Sequence, residues 1–345
     1  MKRKGFFMMG MLVLSVAVLG VCAGSAIGAE KVYQWKWNSA YDLTVSPSMD
    51  QLPKIIDKHT NGSVKVTLYV MGEHPFQGPD MPRAIKSGSA QMADILPGYC
   101  VGIDPRLGAL DLPFIADSAE EEDALMSTVL KNVTDKLYKD YGMVFLASIP
   151  FPSQALAGNV LLKDWNSLKG KKIRVYNKVT ADMITTLGGS PVTIPTAETY
   201  QALEKGIVDG ALGSMYSGVK SKRFEVAKNA TITNAYGQGS SYAFVVSKAA
   251  LDQLPEDLQV KVLEAGKEYQ AIGRKIQYDD AARAASEAKE KFGTTVITID
   301  PVFRQEIRKK MKEGCWDKWA KTFDGGPELL AEIEKFHENW VKTHK

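Results

Sequence analysis

The sequence predicts an α/β protein of two lobes braced by one long helix. Three observations carry that reading. Strand-like and helix-like patterns alternate along most of the chain. The length, 345 residues, is what about two domains of ordinary size require. From Leu258 an apolar face continues through Val262, Ala265, Tyr269, Ile272 and Ile276, at steps of four and three, which marks a helix. Continued into AARAASEAKEKF, that helix has roughly 40 residues and a length of about 60 Å at about 1.5 Å per residue. One small domain cannot cover it, so two must share it.

The first 29 residues, MKRKGFFMMGMLVLSVAVLGVCAGSAIGA, read as a secretory signal peptide. Lys2, Arg3 and Lys4 make the positive start, Phe6 to Val21 the apolar stretch, and small residues lead to cleavage after Ala29. Cys22 follows Val21, which is larger than the residue that precedes a lipidated cysteine. Cleavage removes three basic residues and no acidic one, so the 43 basic and 40 acidic residues become forty of each. That balance gives no reason to expect nucleic acid or an anionic membrane as partner. No later apolar run approaches the ~18 residues of a membrane span, so the mature protein is expected to be soluble. Cys100 and Cys315 read as two isolated cysteines rather than a disulfide framework.

The mature chain opens with KVYQWKWNSA, in which Tyr33, Trp35 and Trp37 share one face of a strand that ends near Asn38. A helix follows to about Thr60 and is closed by Asn61-Gly62. SVKVTLYV is a second strand, MPRAIKSGS a short helix and AQMADIL a third strand. Ser118, with Glu121 three residues on, caps a helix reaching about Tyr141. GMVFLASIP is a buried strand. Then KKIRV is a strand, TADMITTLGG a helix and SPVTI a strand. Thr196 caps the helix AETYQALEKG, IVDGAL is a strand, and SYAFVVS is strongly β-prone. Two further helical patterns follow the long helix.

Catalytic and metal-binding patterns are sparse. His59, His74, His337 and His344 have no metal-ligand spacing, and there is no HExxH, CxxC, GxSxG or Walker loop. An enzyme would have to use a loop acid or base such as Glu73, His74 or Asp80. No catalytic residue, metal or cofactor is expected.

In KGKKIRVYNK, Ile173 and Val175 point to one face and Arg174 to the other. Beside Lys171 and Lys172, pattern alone makes Arg174 a solvated strand end. The surrounding residues change that. From Leu168 to Gly210 the sequence LKGKKIRVYNKVTADMITTLGGSPVTIPTAETYQALEKGIVDG resembles the periplasmic solute-binding proteins of tripartite ATP-independent periplasmic (TRAP) transporters. Glu198, Tyr200, Ala202, Leu203, Gly206, Val208, Asp209 and Gly210 keep the last part of the family's pattern nearly whole, and DLPF (111–114) and LPEDLQ (254–259) also fit.

The resemblance implies a two-lobed, periplasmic-binding-protein-like fold with hinge strands. Lobe I is expected to take residues 30–152 and 241–280, and lobe II residues 153–240 and 281–345 with the C-terminal helices. It implies a receptor, not an enzyme, that catches a small organic acid in the periplasm and delivers it to the membrane subunits of an ion-gradient-driven permease. A periplasmic sensor would share the same binding chemistry. The family's carboxylate clamp falls on Arg174, and ligand-side asparagines match Asn38 and Asn177. An arginine fork offers two parallel donors to a carboxylate and stays charged when buried.

Three departures bear on the ligand. A second arginine of many relatives is Gln154 here, a glutamate expected near Leu96 is missing, and the Glu-Asn-Pro that often follows Val-Asp-Gly is Leu212, Gly213 and Ser214. Fewer pocket charges favour a monocarboxylate with an apolar body, aromatic or branched, over a C4-dicarboxylate. Trp37, Tyr99, Tyr176, Tyr216 and Tyr236 are the aromatic residues expected near it.

Overall fold

A computed structural model describes residues 31–151, 154–235 and 241–344. The expected signal peptide and Tyr236 lie outside the described residues. Among the described residues, eleven strands form two sheets. In the first, β1 (Tyr33–Asn38), β2 (Val64–Tyr69) and β3 (Met92–Ile95) are joined by β4 (Met143–Pro150) and β10 (Ser241–Ser247), in the order β2-β1-β3-β10-β4. The second holds β5 (Gln154–Gly158), β6 (Lys172–Val175), β7 (Ser190–Thr193), β8 (Gly210–Ser214), β9 (Asn229–Ile232) and β11 (Thr295–Thr298), ordered β11-β9-β5-β8-β6-β7. The chain therefore changes sheet between β4 and β5, returns between β9 and β10, and leaves again before β11. These crossings give the two-lobed architecture that the sequence predicts.

The helix Glu256–Phe292 has 37 residues, about 55 Å at about 1.5 Å per residue. Its buried face follows the predicted positions through Leu258, Val262, Ala265 and Tyr269, then departs from them. Gly273, Gln277 and Asp280 are buried in its second half, while Ile272 is exposed and Ile276 only half-buried. The cause is β4, which is an edge strand. An edge leaves backbone groups unpaired, and polar side chains of the helix satisfy them. Gln270 accepts from Ser148 N at 2.8 Å, Arg274 Nε donates to Ser148 O at 3.0 Å, and Gln277 Nε2 donates to Pro150 O at 2.8 Å. Gly266 and Gly273 permit this approach. A Cβ on Gly273 would lie 2.6 Å from Ile149 Cδ1, and one on Gly266 2.7 Å from Leu146 O.

Three other expectations need correction. The helix after β1 is only Gln51–His59. Asp42 accepts from Thr44 N and Oγ1 in a local turn, and Pro47 disfavours helix at Ser46. The helix capped by Ser118 is two helices, Ala119–Ser127 and Lys131–Tyr141, because Thr128 leaves helical geometry with φ −122° and ψ −88°. Thr196 does not cap the helix Thr199–Glu204. It begins a short 3-10 turn, and its hydroxyl accepts from Arg174 instead. Strands β5, β9 and β11 are additional to those expected. Cys100 and Cys315 are both free and buried. No helix among the described residues is long and apolar enough to cross a membrane.

Candidate functional site

The sheet crossings bring residues of both sheets around one cavity of about 120 Å³. An engineered cavity of about 150 Å³ accommodates benzene in another protein, so the space suits a compact ligand. From the first-sheet side come Tyr41, Val45, Leu96, Tyr99 and Phe151, and Asp111 comes from a stretch whose neighbours Leu110 and Leu112 pack in the core of the second sheet. From the second-sheet side come Gln154, Arg174, Thr196, Gly213, Ser214 and Arg223.

Arg174 is placed by β6, between Ile173 and Val175, whose side chains enter the core. It is 2 % exposed, so it is no solvated strand end. Its Nε donates to Ile194 O at 2.8 Å, Nη1 to Leu212 O at 2.8 Å and Nη2 to Thr196 Oγ1 at 3.0 Å. The guanidinium carries five N–H groups, so one donor remains on each terminal nitrogen. Its partners are all neutral, and Tyr176 lies 5.7 Å from the guanidinium carbon. Burial depresses its pKa, with opposing contributions from Tyr176 and Tyr99. Such a group has the charge and the free donors to bind an anion.

Of the sequence-predicted site residues, Tyr99, Gln154, Arg174, Gly213 and Ser214 line this cavity, as does Tyr176. Leu212 contributes through its carbonyl, with its side chain in the core. Asn177 caps the helix Lys178–Thr186, accepting from Thr180 N at 2.8 Å and donating to Asp111 Oδ2 at 3.1 Å. That is an N-cap geometry, one step behind the cavity wall. Trp37 is wholly buried in the first core, edge-on to Phe244 and bonded through Nε1 to Asp94 Oδ1 at 3.1 Å, and it does not line the cavity. Asn38 is buried at the end of β1, also away from the lining. Tyr216 donates to Leu43 O at 3.2 Å. His74 binds Ser39 O at 2.7 Å and stands outside the cavity lining.

Five lining residues, Tyr41, Val45, Phe151, Ser217 and Arg223, escape the sequence reading, and three of them shape the site. Tyr41 and Phe151 stack edge-on at 5.0 Å. Both lie in irregular chain, where no period signals their direction. Burial and the adjacent Tyr99 raise the Tyr41 pKa well above the tyrosine range. The third is Arg223. In VKSKRFEV it resembles one more surface charge, yet it is 2 % exposed. Lys222 adopts φ 56°, and the turn after it carries Arg223 and Phe224 inward. The inference of a charge-poor pocket counts Gln154, Leu96 and Leu212 but omits Arg223, so its ground is incomplete.

A buried arginine facing a small aromatic-walled cavity between two α/β lobes defines a receptor for small anions. The comparisons give that class its family. Residues 42–322 match bacterial extracellular solute-binding protein family 7, and the chain belongs to this family, the periplasmic solute receptors of TRAP transporters. It is 26 % identical over 325 residues to solute-binding protein NAS141_03721 of Sulfitobacter sp. (strain NAS-14.1), covering 93 % of this chain and 96 % of that one. It is 26 % identical over 293 residues to the C4-dicarboxylate-binding periplasmic protein DctP of Rhodobacter capsulatus, covering 83 % and 86 %. The crystal structure of DctP6, a Bordetella pertussis extracytoplasmic solute receptor binding pyroglutamic acid, superposes with a TM-score of 0.77 at 25 % identity, over 88 % of this chain and 99 % of that one. The family's members are binding receptors rather than enzymes.

Proposed function

We propose that this chain captures a small organic acid in the periplasm, closing Arg174 on its carboxylate, and hands it to the membrane subunits of a TRAP permease. The observation that carries the reading is Arg174 itself, buried with neutral partners only and with donors left over at a cavity wall. The acid's body rests against Tyr41, Leu96, Tyr99 and Phe151, which favours an aromatic or branched skeleton. Gln154, Ser214 and Thr196 supply polar edges. Residues 1–29 direct export, and the signal is removed.

The lobes are 30–152 with 241–280, and 153–240 with 281–345. In support, every first-sheet strand is drawn from the former ranges and every second-sheet strand from the latter. Ligand bridging the two sheets favours closure about the crossings.

Calorimetry on the purified mature protein tests this. Arg174→Ala weakens binding of the carried acid by ~2–5 kcal/mol, because it removes one partner of a buried charge pair. Binding within a few-fold of wild type would reject Arg174 as the clamp.

A further inference from the structure

We propose that Arg223 is a second anion-binding residue of this pocket, so that the ligand is a compact dianion with one carboxylate on Arg174 and a second on Arg223. The proposal rests on the organic-acid reading above and adds the residue that selects the second charge.

Arg223 is buried and lines the cavity. Among the described residues it has neither a salt-bridge partner nor a hydrogen-bond acceptor, and its Nε is buried without any acceptor. By sequence, residues 152–153 and 236–240 contain no acidic side chain. Asp111 is the acidic residue in the lining, and Asn177 donates to it. Two guanidinium groups thus reach consecutive residues of β8. Arg174 binds the carbonyl of Leu212, and Arg223 rests on Gly213, where a Cβ would lie 2.6 Å from Nη1. Burial, with the Arg174 charge adding to it, lowers the Arg223 pKa to about 10. A buried charge without a counter-charge is costly, and here the cost is met when an anion binds.

Two carboxylates give each arginine an anion of its own. The two donors left on Arg174 match a single carboxylate, and Arg223 still needs an acceptor. Gly213 belongs to the same device. It carries no side chain, and Arg223 occupies the space where its Cβ would stand. Gln154 therefore does not stand for a lost charge, because the second cation arrives from a different segment.

Three isosteric pairs test the proposal by calorimetry: succinate against succinamate, glutarate against glutaramate, and isophthalate against 3-carbamoylbenzoate. Each pair exchanges one carboxylate for a neutral amide of the same shape. Wild-type protein should prefer the diacid of at least one pair by about 50-fold or more. Arg223→Gln should collapse that ratio to within about threefold. Gly213→Ala, which keeps the arginine but displaces it, should reduce the ratio as well. Arg223→Gln should also raise the melting temperature of ligand-free protein, since it removes an unpaired buried charge. Equal affinity within every pair, or a preference that survives both variants, would overturn the proposal and leave the Arg174 clamp standing. Unchanged binding of diacid and monoacid alike by Arg174→Ala would overturn the clamp instead. Failure of wild type to bind any of the six acids would overturn the two-carboxylate proposal, while the Arg174 clamp is judged on the acid the protein carries.

Discussion

At Arg174 the positive charge is solvated by two backbone carbonyls, one hydroxyl and an aromatic ring. A lysine at this position has the charge but cannot reach three acceptors in one plane and still present a fork. Arg174→Lys should therefore bind the ligand at least about tenfold more weakly, a loss of about 1.4 kcal/mol or more; retained affinity would show that charge alone is enough. The same residue shows where sequence suffices. Ile173 and Val175 fix the strand and its faces, and the motif around them gives the arginine its expected role. Arg223 has no such frame. Its neighbours Lys220, Lys222 and Glu225 are charged, and only the left-handed backbone at Lys222 turns it inward. A single positive φ in a charged run leaves no periodic mark. Asn177 shows the opposite case, in which a family-matched position is claimed by helix capping.

Among the elements, the long helix shows how tertiary structure overrides period. Its first half is apolar against the first core. Its second half trades isoleucines for Gln270, Arg274 and Gln277 because β4 is an edge with backbone groups to satisfy. Gly273→Leu places bulk where Ile149 and Ser48 already sit. It should destabilise the protein by ~1–3 kcal/mol through overpacking, read as a lower denaturation midpoint with unchanged slope. A variant as stable as wild type would contradict the close helix–strand approach. Strands rich in β-branched or aromatic residues, such as Tyr33–Asn38 and Ser241–Ser247, are readable from sequence. Gln154–Gly158, with the sequence QALAG, is not. Small residues and glycine suit a central strand packed on both faces, but they resemble a loop.

Across the whole molecule, the two sheets are linked by the crossings and by the long helix, and buried acids sit near those links. Glu122 accepts from Ser241 N at 3.0 Å, at the start of β10. Burial raises its pKa from 4.5 to about 8, and the Asp123 charge adds to the rise. The folded chain keeps a proton that the unfolded chain releases, so stability should fall as pH rises from about 4.5 to about 8. Asp94, raised by burial to about 6, acts in the same direction over the lower part of that range. Thermal melts across this window should show a smaller decline for Glu122→Gln than for wild type, and equal declines would remove Glu122 from the account.

The central claim is that Arg174 holds the carboxylate of a small acid carried by the mature protein. Native mass spectrometry of the protein as purified, with the released molecule identified, tests it most directly when wild type and Arg174→Ala are compared. The account predicts one small carboxylic acid on wild type and none on the variant. A carried molecule without a carboxylate, or the same acid retained by Arg174→Ala, would contradict it.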